Sequence, residues 1–101
     1  MVYKVHWLRR ASNELYSIYR YYSDHASPRI GTRRVGKILD AVELLYTMPQ
    51  IGRPDGDFRN VREYRYIVTL SYRIYYFIEN NDIFIASIWD CRQGGKAIDT
   101  K

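Results

Sequence analysis

Three charged residues in the last third of the chain, Arg73, Asp90 and Arg92, stand among apolar and aromatic neighbours in the runs YRIYYF (72–77) and IWDCRQ (88–93). A guanidinium is planar, permanently charged and forks onto a phosphate or a carboxylate. With a two-residue turn at Asn80-Asn81, Ile78 pairs with Ile83 and Arg73 with Ile88. Cross-strand partners share a face, so Arg73, Tyr75, Phe77, Phe84, Ala86, Ile88 and Asp90 fall on one side. Ile74, Tyr76, Ile78, Ile83, Ile85 and Trp89 fall on the other, the better core face. In that register Arg73 is either an anchor for an anion or one half of an ordinary surface ion pair with Asp90, worth about 0–1 kcal/mol.

A second group, Arg53, Arg59, Arg62 and Arg65, is interleaved with Tyr64 and Tyr66. Cations that track a backbone beside rings that stack bases are the parts of a nucleic-acid surface; solvated charges at a sheet edge are the alternative. Acid–base machinery is thin. His6 and His25 read as surface residues away from the arginines, and Glu63 and Asp90 are the carboxylates nearest them. No spacing fits a metal site, a phosphate loop or a nucleophile–histidine pair, so no cofactor and no metal are implied. Cys91 reads as a small apolar residue.

The elements that position these groups must fit into 101 residues, enough for one domain with a real core. The net charge is +5 and comes mostly from arginine, 12 Arg against 4 Lys, beside 11 tyrosines. An Arg- and Tyr-rich basic domain points to RNA or an acidic peptide as partner. The single cysteine excludes an internal disulfide. With no leader segment in the sequence, the expected compartment is a reducing cytoplasm. No apolar run is long enough to span a membrane.

Tyr3, Val5 and Trp7 alternate with Lys4 and His6 as in a strand. Leu8, Ala11, Leu15, Ile18 and Tyr22 then form a helical stripe, with Glu14 off it, and this helix fades near Asp24 to Ser27. Ser27-Pro28 restarts a helix, with Val35, Ile38, Leu39, Val42, Leu45 and Met48 on one face and Pro49 as the stop. Gly31 and Gly36 in this helix mark either close contact with the first helix or simple tolerance. Gln50 to Asn60 reads as a loop, and strands follow at Val61 to Tyr64, Tyr66 to Leu70, Tyr72 to Ile78 and Ile83 to Trp89. The expected fold is α+β in the order β-α-α-β-β-β, an antiparallel helical hairpin packed on one face of a mostly antiparallel sheet. Residues 1–93 form a single domain and 94–101 a loose tail.

This order of parts, with PQIGRP at 49–54, YRIYYF at 72–77 and IWDCRQ at 88–93, resembles the RelE/ParE superfamily of bacterial type II toxins. The resemblance covers nearly everything from Val2 to Gln93 and implies a toxin neutralised by an antitoxin with an acidic C-terminal segment. RelE-like members cleave messenger RNA in the ribosome. There the resemblance assigns catalysis to Arg73, Arg92 and Asp90, with Asp90 where many relatives carry a histidine. ParE-like members inhibit DNA gyrase and are not enzymes. Gln93 stands in place of a second arginine and the lysine cluster of the ribonucleases has no match, which brings the chain closer to the ParE-like branch. In either branch Arg53, Arg59, Arg62, Tyr64, Arg65, Arg73 and Arg92 are the residues expected to contact the target.

Overall fold

The computed structural model describes residues 3–55 and 62–93. The elements run β1 (Lys4–Trp7), α1 (Arg9–His25), α2 (Pro28–Glu43), β2 (Arg53–Asp55), β3 (Tyr64–Thr69), β4 (Tyr72–Glu79) and β5 (Asp82–Asp90). One 3₁₀ turn, Leu44–Tyr46, follows α2 and another, Cys91–Gln93, follows β5. The five strands form one sheet in the order β1-β5-β4-β3-β2. Only the β1–β5 pairing is parallel.

The local signals explain most of this. Ser27 accepts a hydrogen bond from the Ile30 amide at 3.2 Å, and Pro28 takes the first turn of α2, where a missing N–H costs nothing. Asn80-Asn81 makes the expected two-residue turn between Glu79 and Asp82, with Asn80 at φ 58°. Leu70-Ser71 joins β3 to β4 equally tightly, and Leu70 is held at φ 55°. A leucine there is strained, because its Cβ crowds the carbonyl in the left-handed region.

The core lies between the helical hairpin and one sheet face. Ala11 and Ile18 of α1, Ile38 and Val42 of α2, and Leu45 meet Tyr72, Ile74, Tyr76, Ile83, Ile85 and Ile88. The alternation of β1 is as expected, with Tyr3, Val5 and Trp7 packed against this cluster. The two glycines of α2 divide between the two readings. A Cβ on Gly31 would lie 2.5 Å from Ser23 Oγ and 2.9 Å from the Tyr19 carbonyl, so close contact with α1 requires glycine. A Cβ on Gly36 would meet nothing within 4 Å.

Four expectations need correction. First, the segment expected to be all loop contains β2, where Arg53–Asp55 pairs with Tyr64–Tyr66. Pro54 is tolerated because this is an edge strand. The expected strand start at Val61, together with Arg59 and the tail 94–101, lies outside the described residues. Second, Glu14 is fully buried rather than off the apolar stripe. Third, Leu8, Leu39 and Met48 are exposed, Leu39 although its stripe neighbours Ile38 and Val42 are buried.

Fourth, the hairpin register changes midway. Ile78 pairs with Ile83 and Tyr76 with Ile85 as expected, but Tyr75 pairs with Ser87, leaving Ala86 as the extra residue of a β-bulge. Beyond it Arg73 pairs with Trp89, not Ile88, and Tyr72 pairs with Asp90. The side-chain period of a strand is two, so one inserted residue exchanges the faces. Ile88 and Asp90 turn toward the helices, and Trp89 turns away beside Tyr75.

Candidate functional site

The bulge separates Arg73 from Asp90, and the expected pairing of these two residues is corrected accordingly. Arg73 lies on the sheet face turned away from the helices. Its guanidinium stands over the Tyr66 ring, 4.6 Å from the centroid, and donates to the Tyr75 hydroxyl at 3.4 Å. That hydrogen bond and the nearby phenol oxygens hold Arg73 still more firmly in its charged form. Arg53 of β2 shares the face, since its register partner is Tyr66.

Arg53 and Arg73 rim a groove of about 530 Å³ that wraps around the outer edge of β3. The groove exists because β2 is short. It pairs with β3 only over Tyr64–Tyr66, so Ile67–Thr69, paired with β4 on its inner side, has no strand on its outer edge among the described residues. Leu44, Ile51 and Val68 line the groove, and each is about half exposed. Apolar walls, a free strand edge and two cations are together suited to an extended or amphipathic acidic peptide.

The other expected contact residues serve different ends. Arg62 lies over the Phe77 ring at 4.2 Å and pairs with Glu79 at 3.2 Å. Tyr64 meets the edge of Phe77, 5.5 Å between centroids. Arg65 belongs to the helix-side face, opposite Tyr76. It donates to the Gly52 carbonyl at 2.8 Å and the Gln50 carbonyl at 3.3 Å, so it ties the IGRP segment to β3. The expected single arginine surface is therefore divided.

Arg92 and Asp90 form a second locus, on the helix side of the sheet. Arg92 grips Asp90 with two parallel bonds, Nε to Oδ1 at 3.1 Å and Nη2 to Oδ2 at 2.9 Å, and its amide donates to Oδ1 at 2.9 Å. Nη2 also donates to the Tyr22 hydroxyl at 2.9 Å. Burial alone would push the Asp90 carboxyl up, but the bonds and charge of Arg92 outweigh it and hold the group below the usual carboxylate range. Burial, together with the adjacent Tyr22 phenol, pushes Tyr72 well up. Burial acts on Tyr22 in the same sense. There it is outweighed by hydrogen bonding with Tyr72 and Arg92 and by the charges of Arg92 and Arg34, so this phenol is lowered.

A residue that sequence reasoning missed braces β5. β1 ends at Trp7, opposite Ile85, so the outward amides of β5 beyond it have no strand to meet. Glu14 takes the strand's place: its Oε1 accepts from the Ile88 amide at 2.7 Å and from Ser87 Oγ at 3.1 Å. Arg10 Nε reaches Oε2 at 3.1 Å. Its position between Ala11, Leu15 and Ile18 is the one signal in the sequence that could have marked Glu14 as inward-facing.

No group of three or more metal-ligating side chains occurs among the described residues. No described helix is long and apolar enough to cross a membrane.

The same arrangement of hairpin and sheet occurs in a solved structure described as the chromosomal ParDE TA system from P. aeruginosa. The TM-score is 0.72 over 86% of this chain and 94% of that one, at 22% identity, which is a likeness of fold. No curated protein matches the chain. The model of the ParE toxin of the type II toxin–antitoxin system parDE matches residues 5–94, from within β1 to just past the last 3₁₀ turn. A match across every described element, with the fold to go with it, leaves one assignment: the chain belongs to the ParE toxin family of the RelE/ParE superfamily.

Proposed function

We propose that this chain is the toxin of a toxin–antitoxin pair, that it acts by inhibiting DNA gyrase as a protein ligand, and that an acidic C-terminal segment of its antitoxin neutralises it. One observation carries the neutralisation half of this reading: the groove at the free edge of β3, with Leu44, Ile51 and Val68 as apolar walls and Arg53 and Arg73 as its cations. A disordered acidic segment that folds on binding gains main-chain hydrogen bonds from such an edge and charge complementarity from its rim. The inhibitor half is supported by membership of the ParE family and by the position of Asp90. The carboxylate that a ribonuclease reading would place beside Arg73 faces the helices, paired with Arg92.

The test is a supercoiling assay with purified gyrase. Inhibition by stoichiometric toxin, relieved by an acidic antitoxin tail, is the expected result. Unchanged supercoiling at large excess refutes the gyrase assignment. Primer extension on ribosome-bound message is run alongside, and new 5′ ends there would replace gyrase inhibition with messenger cleavage.

A further inference from the structure

The second locus is a cleft of about 660 Å³ between the C-terminal half of α1 and the end of the β4–β5 hairpin. Ile18, Tyr22, Tyr72, Asp90 and Arg92 line it. Its size suits two or three residues of a peptide. It lies apart from the β3 edge groove and shares no lining residue with it.

Its charge is unbalanced. Asp90 is the one carboxylate lining it and is neutralised by Arg92 through Nε and Nη2. The third nitrogen, Nη1, has no hydrogen-bond partner among the described residues, although the Arg92 side chain is 54% exposed. Arg34 does not line the cleft but lies over the ring of its wall residue Tyr22, 4.5 Å from the centroid, and adds a second cation beside it; no carboxylate pairs with it among the described residues. The bidentate grip of Asp90 fixes the Arg92 guanidinium in the wall before any ligand arrives, which removes the rotamer cost of ordering it.

We infer that this cleft binds a carboxylate side chain of an acidic peptide, Arg92 Nη1 taking the carboxylate and the accessible edges of Tyr21 and Tyr22 taking the apolar residue beside it. Naming the antitoxin as the source of that peptide rests on the reading given above; the binding chemistry does not. A nucleotide fits less well. Tyr72 is 1% exposed, Arg34 lies over Tyr22, and Tyr21 is stacked on His25 with 4.2 Å between centroids, so the rings that would stack a base are already engaged.

The experiment is selection of a random dodecapeptide display library on the full chain, followed by titration of the enriched peptides as synthetic ligands. Expected are peptides with Asp or Glu next to an apolar residue, whose affinity falls about tenfold in Arg92→Gln and several-fold in Arg34→Gln. Arg34 lacks an acidic partner, so its variant keeps the fold and decides the matter if Arg92→Gln melts. Enrichment of peptides without acids, or affinities unmoved by Arg34→Gln and by Arg53→Ala alike, overturns the inference. Acidic peptides that lose affinity only in Arg53→Ala assign binding to the β3 groove and also overturn it. Tighter binding of adenosine monophosphate than of any selected peptide overturns it in favour of a nucleotide. None of these readouts depends on gyrase, so the cleft and the toxin reading stand or fall separately.

Discussion

Tyr76 and Gly52 lock two distant motifs together. The Tyr76 hydroxyl accepts a hydrogen bond from the Gly52 amide at 2.9 Å and donates one to the Pro49 carbonyl at 2.7 Å. The glycine of IGRP is thereby fastened to the third tyrosine of YRIYYF, and the groove residue Ile51 is held between the two bonds. Only glycine fits. A Cβ at position 52 would lie 2.5 Å from the Tyr76 hydroxyl and 2.9 Å from the Tyr66 carbonyl. Tyr76→Phe leaves a buried amide and a buried carbonyl unpaired and should cost about 1–3 kcal/mol in urea unfolding. Gly52→Ala should cost at least as much and should also weaken antitoxin binding, since the groove wall must move.

Glu14 replaces a missing strand, and its removal should show in β5. Glu14→Ala strands the Ile88 amide and Ser87 Oγ in the interior. The expected loss is about 2–3 kcal/mol. Hydrogen exchange should locate it, with the Ile88 amide losing far more protection than those of α2.

The two helix glycines should respond oppositely. Gly31→Ala drives a methyl group toward the Tyr19 carbonyl and forces the hairpin apart, at about 1–3 kcal/mol. Gly36→Ala meets open space and should stabilise the chain by about 0.5–1 kcal/mol through helix propensity alone. Thermal melts of the pair settle this.

Arg92 and Asp90 make stability depend on acid. The Asp90 carboxyl is held low in the folded chain, so its contribution is present above the unfolded value, about 3.9, and is lost as pH falls through the folded one. Asp90→Asn should therefore be less stable than the parent by about 1–2 kcal/mol at pH 7, with the gap closing as pH falls through the folded carboxyl's lowered value. At the alkaline end the sign reverses for Tyr72. Its raised phenol stabilises the fold below about pH 10 and ceases to do so as pH climbs toward the folded value. Absorbance titration should show Tyr22 ionising below the usual phenol range, a phase absent in Tyr22→Phe.

Arg53 and Arg73 should govern partner affinity without governing the fold. Arg53 is exposed and Arg73 is engaged only with two phenol rings. The double alanine variant should keep its melting temperature within a few degrees and lose about 10- to 100-fold in antitoxin affinity, read by calorimetry at low and high salt.

Much of the frame was legible because its signals are local. Ser27-Pro28 announces a helix start, Asn80-Asn81 a hairpin turn, and Tyr3, Val5 and Trp7 a strand face, each readable within a few residues. The site was less legible because it depends on pairing between distant segments. Nothing in FIASIWD states that Ala86 is unpaired, so strict alternation past it assigns Ile88, Trp89 and Asp90 to the wrong faces. Arg65 looks like its neighbours Arg53 and Arg62 until the Gly52 carbonyl is placed beside it. Pro54 conceals β2, since proline argues against a strand except at an edge, and edges are not visible in a sequence.

The unpaired Ala86 works as a parity switch for everything downstream of it. Pairing Ala86 with Tyr75, in a ladder without the bulge, would rotate Asp90 outward to the face of Arg73 and tuck Trp89 among the isoleucines, turning a clamp against α1 into an acid–guanidinium dyad open to solvent. Two distinct surface chemistries at this hairpin's end are thus one register slip apart on an unchanged scaffold.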